Sequence, residues 1–357
     1  MANIFDYLND VAYDSFYDLP VNELDVLALT ELTYLAFDDV VTQEPQRLID
    51  LAPQIPRDTT MLTNKNRLQL LDQLAQHKRF KNCKLSDFIN DIDPELQKQF
   101  AAMTYRISLD TYLLVFRGTD DSIIGWKEDF HMTYMKEIPA QKHALQYLQD
   151  FFAQHPNQKV VLAGHSKGGN LAVYAASQLD PLLQKNIVAV YTFDAPGLHK
   201  ELTETAGYQN MMERTKVFVP QGSIIGMMLE IPDKKIVVRS TALGGLAQHD
   251  TFSWQVEDKH FVQLDETNSD SQQVDTTFKE WVETVPDTEL QLYFDLFFGI
   301  ILDAGISSIN DLSSFKVIEH IHHLFIQAQS LTPEERETMG RLTQLLIDTR
   351  YQAWKNR

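Results

Sequence analysis

Apolar residues recur along this chain in three successive rhythms. Up to about residue 98 they fall at helical spacing between loops. Leu24, Leu27, Leu32 and Leu35 mark one helix, with Asn22 as its cap. Residues 66–77 predict a second helix, and Pro45, Pro53 and Pro56 break the segment between the two. Residues 1–98 therefore read as helices and loops that pack against a core formed by later residues.

From residue 99 to about 265 the rhythm changes, and short β-prone runs alternate with helical ones. Residues 100–107 and 112–116 predict a hairpin turning at Leu109 and Asp110. Residues 139–155 predict an amphipathic helix with Leu145, Leu148, Phe151 and Phe152 on its apolar face. Residues 160–163, 187–193, 216–219 and 235–239 are near-continuous apolar runs, and 259–264 alternates. Such runs separated by helices predict a mostly parallel sheet covered on both faces, an α/β architecture. Residues 271–357 return to helical spacing, with candidates at 278–285, 289–303, 311–329 and 333–354. Thr332 and Pro333 give the last of these a good start. The expected organisation is an N-terminal helical region (1–98), an α/β core (99–265) and a C-terminal helical cap or subdomain (271–357).

One stretch of the core carries candidate chemistry. Gly164-His165-Ser166-Lys167-Gly168 is a Gly-x-Ser-x-Gly sequence with a strand-like run before it and a helix-favouring run, 170–179, after it. Strand, tight turn and helix in that order present the nucleophilic serine of α/β-hydrolases. Glycines flank the serine because side chains there would strike the neighbouring strand and helix. The helix after the serine aims free N–H groups at the place where an oxyanion would form, so the Lys167 N–H is one candidate donor. Residues 115–120 give a strand end, a glycine and a hydroxyl, so Thr119 is the candidate second donor, through N–H and Oγ–H together.

A serine needs a base. Of the histidines C-terminal to Ser166, His249 fits best, because it lies in a loop after the run ending at Arg239, with Gly244 and Gly245 to let it bend back. His199 comes before the sheet is complete, and His260 falls within the alternating run 259–264.

Phe116-Arg117-Gly118-Thr119, followed by Trp126 and Asp129, resembles a segment of class 3 (fungal triacylglycerol-type) lipases, and the turn at Ser166 resembles that family's nucleophile turn. Tyr191-Thr192-Phe193-Asp194-Ala195-Pro196-Gly197 resembles its next strand end. The likeness covers residues 100–255. With Val219-Pro220-Gln221-Gly222-Ser223 and Gln248-His249-Asp250, the whole chain looks more like a little-characterised bacterial branch with a lipase-like fold. The resemblance implies an α/β-hydrolase fold, an oxyanion-hole hydroxyl at Thr119 and a lid in the segment after it. The lid would carry the apolar residues Ile123, Ile124 and Trp126, with a second apolar group at Ile224, Ile225, Met227, Met228 and Leu229. The chain departs from the family at 221–223, where the family's acid would stand and this sequence has Gln-Gly-Ser. Asp194, one strand earlier, is the best substitute, with Glu230 and Asp250 behind it. Lys167 stands where the lipases commonly have Leu, and its side chain is expected to point to solvent.

Composition narrows the function. Fifty acidic against 31 basic side chains give a net charge of −19. That balance argues against nucleic acid and against charge-driven docking on anionic membranes. A single cysteine, Cys83, fits a reducing cytosol and reads as incidental. The first ten residues lack a signal-peptide pattern, and no apolar run reaches 18 residues. His320, His322 and His323 invite a metal reading, but no second ligand cluster accompanies them and a helix face is the plainer account, so neither metal nor cofactor is expected. The expectation is a cytoplasmic serine hydrolase acting on a small-molecule or lipid carboxyl ester through an acyl-enzyme on Ser166. The alternatives are an acyltransferase, or a binding or regulatory protein that keeps the fold with weakened catalysis.

Overall fold

The computed structural model describes residues 1–60, 63–120, 122–232, 234–306, 327 and 329–355. The strands among them are β1 (Gln46–Arg47), β2 (Lys84–Asp93), β3 (Lys98–Arg106), β4 (Tyr112–Phe116), β5 (Val160–His165), β6 (Ile187–Phe193), β7 (Thr215–Pro220), β8 (Lys235–Val238), β9 (Val256–Glu257), β10 (His260–Phe261) and β11 (Gln263–Leu264). Nine of them make one sheet in the order β1-β2-β3-β4-β5-β6-β7-β8-β11, and β9 pairs with β10. The steps from β4 to β8 are parallel, while β1 to β4 and β8 to β11 are antiparallel. This is an α/β fold with a mostly parallel central sheet, as the alternation of runs predicts.

The period of two along β4 shows how the sheet is covered. Leu113 and Val115 face one core, with Leu24, Leu27, Leu71, Ala163, Phe193 and Trp254. Leu114 and Phe116 face another, with Leu148, Phe152, Leu162, Leu171 and Ala175. Helices Pro139–Gln154 and Lys167–Gln178 cover that second face, one from each of the first two crossovers of the parallel strands. Helices Glu23–Leu32 and Asn64–Gln76 cover the first. The N-terminal region is thus one of the molecule's two helical layers.

That region also differs from the expected helices and loops, because β1 and β2 belong to the main sheet and the expected boundary at 98 cuts the β2–β3 hairpin. β2 carries Asp87, Asp91 and Asp93 near the sheet edge, where outward charges are tolerated, and its register shifts between Ser86 and Ile89. Both features hide its alternation. The run 259–264 is likewise two short strands, β10 and β11, that join different sheets. Cys83, read as incidental, is a core residue, and burial pushes its thiol pKa up to about 12.

The C-terminal helices Ser269–Thr284, Asp287–Asp303 and Pro333–Lys355 form a third cluster. Trp281, Leu290, Phe294 and Phe298 pack against Ile123, Trp126 and Phe130 of helix Ile123–His131. The Phe130 and Phe294 rings lie 4.8 Å apart, and Lys127 pairs with Asp295 at 2.7 Å. The expected helix 311–329, with His320, His322 and His323, falls outside the described residues apart from its end. No helix among the described residues is long and apolar enough to cross a membrane.

Candidate active site

β5 ends at His165, and helix Lys167–Gln178 begins one residue after Ser166. Ser166 bridges them at φ 55°, in the left-handed region that non-glycine residues avoid. Its N–H donates to the Phe193 carbonyl at the end of β6 (2.9 Å), and its own carbonyl accepts from the Gly169 N–H (3.0 Å). The glycines are dictated by contact. A Cβ on Gly168 would run into the Phe116 carbonyl at the end of β4, and one on Gly164 into the Gly168 backbone.

His249 closes the short helix Gly245–Gln248 in the loop after β8. Its Nδ1 lies 2.6 Å from Asp194 Oδ2, so an Nδ1–H donates to a carboxylate and Nε2 is left with its lone pair. Asp194 follows β6 at φ 43° and is fully buried. The Ser223 hydroxyl and the Gly226 N–H (3.1 Å) both donate to its other oxygen. Where the lipase pattern has an acid, this chain has a hydroxyl that supports the acid one strand earlier. Glu230 pairs by its backbone with Leu198, and the Asp250 carboxylate accepts from the Phe252 N–H. Of the three carboxylates considered from sequence, Asp194 is the one on His249. The His199 ring caps helix Lys200–Thr203, and His260 bonds to Glu23.

Two expectations need correction. Lys167 does not point to solvent: its side chain is fully buried, with Nζ bonded to Gln99 O (3.1 Å) and Glu128 Oε2 (2.9 Å) and 3.7 Å from Asp129. Burial opposes its charge, but Glu128 and Asp129 prevail and hold the ammonium protonated. Thr119 does not hold its hydroxyl hydrogen ready for an oxyanion, because Oγ1 donates to Asp129 Oδ2 at 2.6 Å. Burial raises the Asp129 carboxyl to about 6, against the pull of Lys167 and Thr119. Of the donors expected from sequence, the backbone N–H groups of Thr119 and Lys167 remain.

Sequence reasoning missed a buried network behind the serine. Glu31, on helix Glu23–Leu32, accepts from Arg67 Nε (3.1 Å) and from the Thr251 hydroxyl (2.9 Å), and faces His165 Nδ1 at 3.2 Å. Burial disfavours the Glu31 charge, yet Arg67, His165 and the Thr251 hydroxyl together outweigh it and keep the carboxyl below its usual range. His165 lies between Glu31 and His249, its ring centroid 4.5 Å from that of His249 and its Nε2 3.1 Å from the His249 carbonyl. Burial lowers His165 to about 4, so it is neutral at pH 7. A neutral ring carries one N–H, shared between two acceptors, the Glu31 carboxylate at Nδ1 and the His249 carbonyl at Nε2, while the Tyr34 hydroxyl lies 3.3 Å from both Nδ1 and the His165 carbonyl. The one signal in the sequence was an acid within a largely apolar helix, between Val26-Leu27-Ala28-Leu29 and Leu32.

Ser166, His249, Thr119, Trp126, Glu31 and Arg67 line one cavity of about 280 Å³. The Mbeg1-like family profile matches residues 74–299, more than half of the chain. The chain belongs to the Mbeg1-like family. In this Mbeg1-like protein the matched span takes in Ser166, Asp194, Thr119 and His249, but not Glu31 or Arg67. No curated protein matches the chain significantly in sequence. Among solved structures it is similar to a mono- and diacylglycerol lipase from Aspergillus oryzae, with 17% identity, a TM-score of 0.42, and 69% of this chain and 87% of that one covered. It is also similar to a lipase from Rhizopus microsporus var. chinensis, with 16% identity, a TM-score of 0.38, and 70% and 80% covered. At such scores these likenesses carry no weight of their own, and the strand order and the turn at Ser166 stand without them.

Proposed function

We propose that this Mbeg1-like protein is a serine hydrolase of carboxyl esters. The observation that carries the reading is the 2.6 Å bond from Asp194 to His249 Nδ1, in a cavity that also holds Ser166 on its strained turn. Asp194 fixes the imidazole tautomer, so Nε2 can take the Ser166 proton as Oγ attacks the ester carbonyl. The Lys167 and Thr119 N–H groups meet the developing oxyanion, each contributing about 3 kcal/mol to the transition state. His249 returns the proton to the leaving alcohol, and the acyl-enzyme is hydrolysed by a water that His249 deprotonates in turn. The non-catalytic alternative drew on the missing acid at 221–223, and Asp194 on His249 removes that support.

The test is labelling with a fluorophosphonate and mass spectrometry of the modified peptide. A stoichiometric adduct on Ser166 is expected, absent in Ser166→Ala. Asp194→Asn should label far more slowly, with the kcat of any ester it hydrolyses down by about 10⁴. A folded protein that gives no adduct overturns the reading.

A further inference from the structure

The charged side chains that line the Ser166 cavity are Glu31, Arg67, Asp120 and Asp250. Glu31 and Arg67 neutralise each other in a nearly buried pair. Asp120 and Asp250, both half-buried, form no ion pair with a lysine or arginine among the described residues. Each accepts one backbone N–H, from Ser122 (2.9 Å) and Phe252 (3.1 Å) respectively. Behind the wall, Lys167 faces both Glu128 and Asp129, and Asp194 serves His249. Arg117, also buried, lies within electrostatic reach of Asp120. Arg67, Arg117 and Lys167 are thus outnumbered two to one by carboxylates, which gives the lining and the wall behind it a net negative formal charge. The aromatic lining points the same way. Arg67 already covers the Tyr34 ring at 4.0 Å, whereas Trp126 lines the cavity from helix Ile123–His131. An aromatic ring beside carboxylates that outnumber the nearby cations attracts a cation, and the same carboxylates repel an anion.

We propose that the pocket selects its ester by charge, taking compact esters that carry an ammonium group in preference to neutral ones and excluding anionic ones. The inference rests on the ester-hydrolase reading of Ser166. The same field favours release of the carboxylate product, whose charge appears only after the acyl-enzyme is hydrolysed.

The test compares three phosphonothioates that deliver one phosphonyl group and differ only in the leaving thiol: thiocholine, its neutral isostere 3,3-dimethylbutanethiol, and 3-mercaptopropionate. In each, the Ser166 Oγ–P bond forms, the P–S bond breaks, and the thiol leaves with the proton His249 took from serine. The expected labelling rates fall in that order, each step about tenfold at low ionic strength. Added salt and the double variant Asp120→Asn/Asp250→Asn should compress the spread. Asn keeps both backbone bonds, and the neutral label serves as the reference for any general loss. Equal rates, a faster anionic label, or a spread the double variant leaves unchanged would overturn charge selection alone. No adduct with any of the three, on folded protein, overturns the hydrolase reading and this proposal with it.

Discussion

Burial holds the Asp129 carboxyl at a pKa of about 6, although Lys167 and Thr119 both favour its charge. In the unfolded chain it ionises near 4. Between those values the folded protein keeps a proton that the unfolded chain has lost, so stability falls as pH rises through that window. A shift of about two units corresponds to a penalty of about 3 kcal/mol, present in full above pH 6 and absent below 4. Buried neutral His165, lowered to about 4, acts with the opposite sign, its share of stability lost as pH falls from about 6.5 to 4. The two contributions offset each other over most of that range. Asp129→Asn should raise the unfolding free energy at pH 7.5 by about 1–3 kcal/mol, leave it nearly unchanged near pH 4, and expose the His165 slope, measured by urea denaturation at stepped pH. Ser166 and His249 were legible at this scale because glycines and a late loop mark them. The pairing of Asp129 with Thr119, and of Lys167 with Glu128, was not, because no local spacing records which buried charge meets which.

At the scale of elements, the turn at Ser166 has almost no tolerance. Gly168→Ala places a methyl against the Phe116 carbonyl, which belongs to the neighbouring strand and cannot give way. A loss of about 3 kcal/mol or more is expected, seen as a drop in Tm or as failure to fold. Gly299→Ala is the control: its Cβ meets open space within helix Asp287–Asp303, so a gain of about 0.5–1 kcal/mol is expected. β4, β5 and the second half of β6, from Val190 on, are buried on both faces and could be read as apolar runs. β2 could not, because its outer positions carry aspartates at the sheet edge. Glu31 was also illegible as part of the site. Its partner Thr251 lies 220 residues away, and only the fold brings the two together.

For the whole molecule, the C-terminal helices hold helix Ile123–His131 against the cavity through Trp281, Phe294 and Phe298. A cavity of about 280 Å³ bounded in this way suits compact acyl groups. Butyrate esters should therefore be cleaved with higher kcat/KM than palmitate esters. Phe294→Ala, at a cost of about 3–5 kcal/mol, should narrow that ratio by loosening the held helix, as chain-length kinetics would show. The bond between Glu31 and Thr251 has a further consequence, for how the chain assembles. On the ribosome, the helix bearing Glu31 emerges long before residue 251, and until then its carboxylate lacks the Thr251 hydroxyl. Contacts of such sequence separation slow folding and lengthen the time that apolar surface stays exposed. The layer that completes the Ser166 cavity is therefore also the part of the nascent chain that must wait longest for its partners.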